Sequence, residues 1–127
     1  MRFQMNKKTF LTILSVIIED GYYISLWEIV WELNSINVAN SLKVAKEILL
    51  SLYEQGYIRL FSSNWGCGTE MKEICDKSEI LNILRDDKNY EPVGVNSKYF
   101  CVTETERGRA YYVKQDQNSK NSLDGIK

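Results

Sequence analysis

Between residues 42 and 61 the chain changes its period, and that change restricts the fold more than any other feature. Leu42, Ala45, Leu49 and Leu52 recur at the three-and-four spacing of one helix face, and Gly56 stands where a helix ends on a left-handed residue. Tyr57, Ile58, Arg59, Leu60 and Phe61 follow as an aromatic and branched run of strand character. The chain therefore carries a helix, starting between Asn37 and Ser41, that runs straight into a strand.

Upstream, Phe10, Ile13, Leu14, Ile17 and Ile18 predict a first helix over residues 7–20, with Asn6 as its cap and Gly21 as its stop. Tyr22, Tyr23 and Ile24 read as a short strand. Ser25 and Glu28 then form a capping box, with Ile24 and Ile29 placed as a hydrophobic staple. A second helix starts at Leu26, buries Leu26, Ile29, Val30 and Leu33, and ends near Asn34 before the turn Ser35-Ile36-Asn37.

Residues 64–92 hold four basic and seven acidic side chains and read as an insertion or elaborated hairpin. A short helix capped by Ser78 is predicted inside it, over residues 78–84, followed by the polar turn Asp86-Asp87-Lys88-Asn89 and the lone proline, Pro92. Residues 98–102 form a further strand. A last helix follows, capped either by a Thr103–Glu106 box or by Thr105 alone. Beyond Gln115 the polar composition predicts a disordered tail over residues 115–127.

At 127 residues, 44% hydrophobic and 26% charged, the chain fits one globular domain, here residues 1–114. The formal charge of −1 requires any nucleic-acid affinity to come from a local basic patch. Cys67, Cys75 and Cys101 are odd in number and irregular in spacing, and no histidine accompanies them. That pattern fits reduced thiols in a cytoplasmic protein, with no disulfide framework and no zinc site. The apolar run from Phe10 to Ile18 leads into Glu19 and Asp20 without a cleavage site and is far short of the ~20 residues that span a bilayer. It reads as a core helix, and no membrane association is expected.

The segment Leu49-Leu50-Ser51-Leu52-Tyr53-Glu54-Gln55-Gly56-Tyr57-Ile58 resembles the end of a winged-helix recognition helix entering its wing. Thr105-Glu106-Arg107-Gly108-Arg109-Ala110 is similar to the Thr-Glu-x-Gly-Arg segment that opens the helix after the wing in bacterial regulators. The resemblance spans residues 7–113 except the insertion, and the long acidic stretch at the wing departs from it. It implies an α+β, mainly α fold: a winged helix-turn-helix with a two- to three-stranded wing and a helical insertion in the wing region. It further implies a small bacterial DNA-binding transcription regulator, paired as a homodimer through its first and last helices, with Tyr111 and Tyr112 at the interface.

On that reading the N-terminal half of the third helix enters the major groove of double-stranded DNA, offering Asn40, Ser41, Lys43, Val44 and Glu47, with Lys43 and Lys46 toward phosphates. Arg59 and Lys98 on the two wing strands would add backbone contacts. Glu28 and Glu32, expected on the outer side of the second helix, would oppose phosphate binding. A different reading is a protein-interaction module without DNA binding: Trp27 and Trp31 lie one turn apart, away from the apolar stripe, and would anchor a protein partner unless Trp65 or other segments cover them.

No enzyme is expected, because no histidine, phosphate loop or coupled nucleophile and base is present, and no cofactor is implied. Glu70, Glu73, Asp76 and Glu79 lack the spacing of a calcium loop and read as a solvated acidic face. Cys67 sits between Gly66 and Gly68 with no neighbouring cation to activate it.

Overall fold

The computed structural model describes residues 6–19, 23–64, 71–95 and 97–124, the last stretch from 116 onward as backbone. The elements run α1 (Lys7–Glu19), β1 (Ile24–Ser25), α2 (Leu26–Ser35), α3 (Ser41–Glu54), β2 (Ile58–Asn64), β3 (Lys72–Ile74), α4 (Lys77–Arg85), a 3-10 turn (Asp87–Tyr90), β4 (Lys98–Glu104) and α5 (Glu106–Asp124). The fold is α+β and mainly helical. Its sheet is antiparallel throughout, in the order β1-β4-β2-β3. Gly21, Tyr22, Trp65, Cys67 and Glu70 lie outside the described residues.

Local chemistry sets most boundaries. Asn6 Oδ1 accepts from the amides of Lys8 (2.8 Å) and Thr9 (3.3 Å), which caps α1. Glu28 accepts from the Ser25 amide at 2.9 Å, as the capping box requires. At the end of α3 the Tyr57 amide donates to Leu52 O and the Gly56 amide to Tyr53 O, both at 2.9 Å, with Gly56 at φ +79°. That pair of bonds is a Schellman motif, which satisfies the last carbonyls while turning the chain into β2.

The central core joins Ile13, Leu14 and Ile17 of α1, Leu26, Ile29 and Leu33 of α2, Ala45, Ile48, Leu49 and Leu52 of α3, and Leu60 and Val102 of the sheet. The insertion contributes to the same core. Ile80 and Leu84 of α4 and Tyr90 of the 3-10 turn are buried in it, and the Tyr90 hydroxyl donates to Leu84 O at 2.7 Å. The helical part of the 64–92 region is thus packed against α2 and α3 rather than projecting as a wing tip.

Some local expectations change. Asp76, not Ser78, caps α4 by accepting from the Glu79 amide at 2.9 Å. Thr105 alone caps α5, its hydroxyl accepting from the Gly108 amide (3.0 Å) and donating to Gly56 O (2.6 Å). Gly108 answers to a close approach, since a Cβ there would stand 2.2 Å from Tyr57 O. The Thr-x-x-Gly spacing thereby locks the start of α5 onto the end of α3. α5 then continues as helix to Asp124, past the point where the polar composition predicts a tail without fixed structure.

Candidate functional site

The outward side of α3 forms one wall of a groove of about 800 Å3, and α4 with the 3-10 turn forms the other. Val38, Leu42 and Leu50 give it an apolar floor, and Asn34, Asn40, Ser41, Lys43, Lys46, Glu47, Arg85 and Asp87 give it a polar rim. Asn37 and Asn40, in the connection between α2 and α3, both take positive φ (61° and 55°), a conformation that asparagine tolerates well. Asn40 makes no side-chain cap bond to α3.

Five residues expected to meet DNA, namely Asn40, Ser41, Lys43, Lys46 and Glu47, line this groove together. Val44 does not: it is 9% exposed and belongs to the core beside Ala45 and Ile48. With Ile48, it widens the buried face of α3 beyond the stripe that the sequence suggests, while Leu42 of that stripe is only partly buried. Lys46 is ion-paired through its Nζ to Asp87 Oδ1 of the 3-10 turn. Arg85, the last residue of α4, joins the rim although nothing in its sequence position signals proximity to α3. Its place follows from the burial of Ile80 and Leu84, which turns the end of α4 toward α3. The groove so holds three cations, Lys43, Lys46 and Arg85, against two carboxylates, Glu47 and Asp87, an excess of one positive charge.

Arg59 and Lys98 are not part of it. In the β2–β4 register Arg59 faces Thr103 and Lys98 faces Asn64, so the two stand at opposite ends of the hairpin. Arg59 lies over the Phe61 ring, 5.1 Å from its centroid, and meets Glu73 at 3.4 Å. Lys98 lies over the Phe100 ring at 5.5 Å. Arg59 instead lines a second cleft, of about 550 Å3, with Glu104, Thr105, Glu106, Arg107 and Arg109. There burial raises the Glu104 carboxyl, but hydrogen bonds from Arg109 (2.7 Å), its own backbone and Thr103 outweigh that and hold it below the usual carboxylate range.

The two tryptophans part company. Trp27 is 4% exposed and packs on Tyr99, with ring centroids 5.5 Å apart, on the sheet face turned away from the main core. It is not available as a partner anchor, because β4 covers it. Phe61, Tyr23 and Cys101 share that face. Burial, with the nearby Glu28 charge, pushes the Cys101 thiol up to about 12. Glu28 is thus directed toward Ser25 and the sheet rather than outward over α2, which withdraws one of the two carboxylates expected to repel phosphate. Trp31 is 55% exposed, and Ile36, just after α2, is 45% exposed.

Tyr111 stacks on Tyr57 at 4.6 Å and meets Phe10 edge-on at 6.5 Å, and the Tyr112 hydroxyl donates to Glu19 at 3.1 Å. Both therefore bind α5 to its own chain. Glu73 pairs with Arg59 and Asp76 caps α4, so two members of the sequence-local acidic group have structural partners. Among the described residues no helix is long and apolar enough to cross a membrane. Comparison with models of known protein families, with curated protein sequences and with solved structures finds no match to this chain.

Proposed function

We propose that this chain is a winged-helix domain that binds double-stranded DNA through the outer side of α3 and acts in the cytoplasm as a small transcription regulator. The observation that carries the reading is the convergence of Asn40, Ser41, Lys43, Lys46 and Arg85 on one groove along the helix that leads into the hairpin. The sheet order supports it: β1, set between α1 and α2, pairs with β4, which pairs with β2, the arrangement expected of a winged helix. Asn40 and Ser41 offer hydrogen bonds to base edges, while Lys43, Lys46 and Arg85 face phosphates. The β2–β4 hairpin serves as the wing, and a second copy would pair along α1 and α5, where an apolar groove of about 480 Å3 includes Leu11 and Tyr112.

With two to three phosphates neutralised, affinity for mixed-sequence duplex is modest and log K falls against log salt with a slope of about −2 to −3. Fluorescence anisotropy across a salt series tests this. The Lys43→Glu/Arg85→Glu double variant loses retention at low salt, and failure of the wild-type protein to bind any duplex at low salt would refute the reading.

A second reading draws on Trp31 and Ile36, whose exposure near the end of α2 suits a protein contact. Trp31→Ala leaves thermal stability within about 0.5 kcal/mol, since the ring is largely in water, but would weaken capture of a protein partner.

A further inference from the structure

The acidic insertion places one carboxylate against a lysine of the α3 groove whose side chain is only 25% exposed. We infer that Asp87 is a specificity-determining residue of this surface: it holds Lys46 as an internal counterion, so that a duplex gains little from phosphate contacts alone and must make base contacts to be retained. This inference rests on the DNA-binding reading and adds to it the role of the insertion.

The contact is built into the fold rather than being a chance meeting of two surface chains. Leu84 and Tyr90, on either side of Asp87, are buried, and the Tyr90 hydroxyl ties the turn back to Leu84 O at 2.7 Å. Asn89 Nδ2 donates to Ile83 O at 2.9 Å, and Asp86 Oδ1 accepts from the Lys88 amide at 3.0 Å. These bonds fix the backbone that carries the carboxylate, so the ordering that weakens ordinary surface pairs is largely done beforehand.

Asp87 is also open to the groove, with 62% of its side chain exposed, where an incoming phosphate would pass. A phosphate can use Lys46 only by displacing this carboxylate. Hydrogen bonds from Asn40 and Ser41 to base edges carry no such penalty. The carboxylate accordingly lowers non-specific binding more than specific binding, which is how an unfavourable element raises discrimination.

The test measures mixed-sequence duplex binding by wild type, Asp87→Asn, Lys46→Gln and the double variant between about 50 and 200 mM salt. Asp87→Asn should bind about fivefold more tightly at the low-salt end, and its salt slope should steepen by about 0.9, the contribution of one freed cation. The double variant should match Lys46→Gln alone, because the gain passes through that lysine. Asp87→Ser repeats the measurement with a second, smaller neutral side chain, in case Asn perturbs the turn. Binding by wild type with no change in the folded Asp87 variants overturns the inference and leaves the DNA reading intact. No binding of any duplex by wild type at low salt overturns both.

Discussion

The two charged clefts of this domain hold the same formal balance, three cations and two carboxylates, yet they are built differently. In the cleft beside α5 each arginine is tied to the fold: Arg109 to Glu104, Arg59 to Glu73 and the Phe61 ring, and the Arg107 stem against Gly56, where an added Cβ would lie 3.6 Å away. In the groove along α3 the cations stand above an apolar floor, and the carboxylate that holds Lys46 comes from an inserted turn. Net charge does not distinguish the two clefts. The surface on which the cations stand, and the origin of their counterions, does.

The sharpest way to break that contrast is at Gly108, which lets the start of α5 close on the end of α3. Gly108→Ala should cost about 3 kcal/mol or more, because its methyl would overlap backbone rather than a flexible side chain; a melting temperature unchanged from wild type would show that the close approach is not required. Next in size is a charge reversal in each cleft. Lys43→Glu should weaken duplex binding about tenfold and Arg107→Glu less than about twofold, measured side by side at one salt concentration. Equal losses would erase the functional distinction between the clefts.

The smallest effect is acid dependence. Glu104 has a folded-state pKa below its unfolded value, so it adds stability above the unfolded pKa of about 4.3 and loses it as pH falls through the lower folded value. Glu104→Gln should flatten the acid limb of a stability curve by no more than about 1 kcal/mol, since Arg109 is more than half exposed and the pair is screened. Parallel curves for wild type and variant would mean that the pair does not stabilise the fold.

Signals contained in a few neighbouring residues are legible in the sequence. The Ser25–Glu28 box, Gly56 at the end of α3 and the helix-to-strand switch at Ile58 depend on hydrogen bonds and dihedral preferences within one turn of chain. Signals that depend on distant packing are not. Val44 turns inward because the buried face of α3 is wider than its leucine and alanine stripe, and Trp27 is covered by Tyr99, a residue of a strand far along the chain. Acidity alone makes the insertion look like a solvated projection, whereas Ile80, Leu84 and Tyr90 fasten it to the core. The candidate groove is therefore half visible from the sequence: helical spacing draws its α3 wall, but Arg85 and Asp87 join it only through where α4 lands.

Because α4 and the 3-10 turn share one core with α1, α2 and α3 through Ile80, Leu84 and Tyr90, the insertion has no independent melting unit to lose. Amide exchange in α4 should track that in α3 under conditions where unfolding is global, and excising residues 64–92 would strip side chains from the centre of the domain rather than trim its edge.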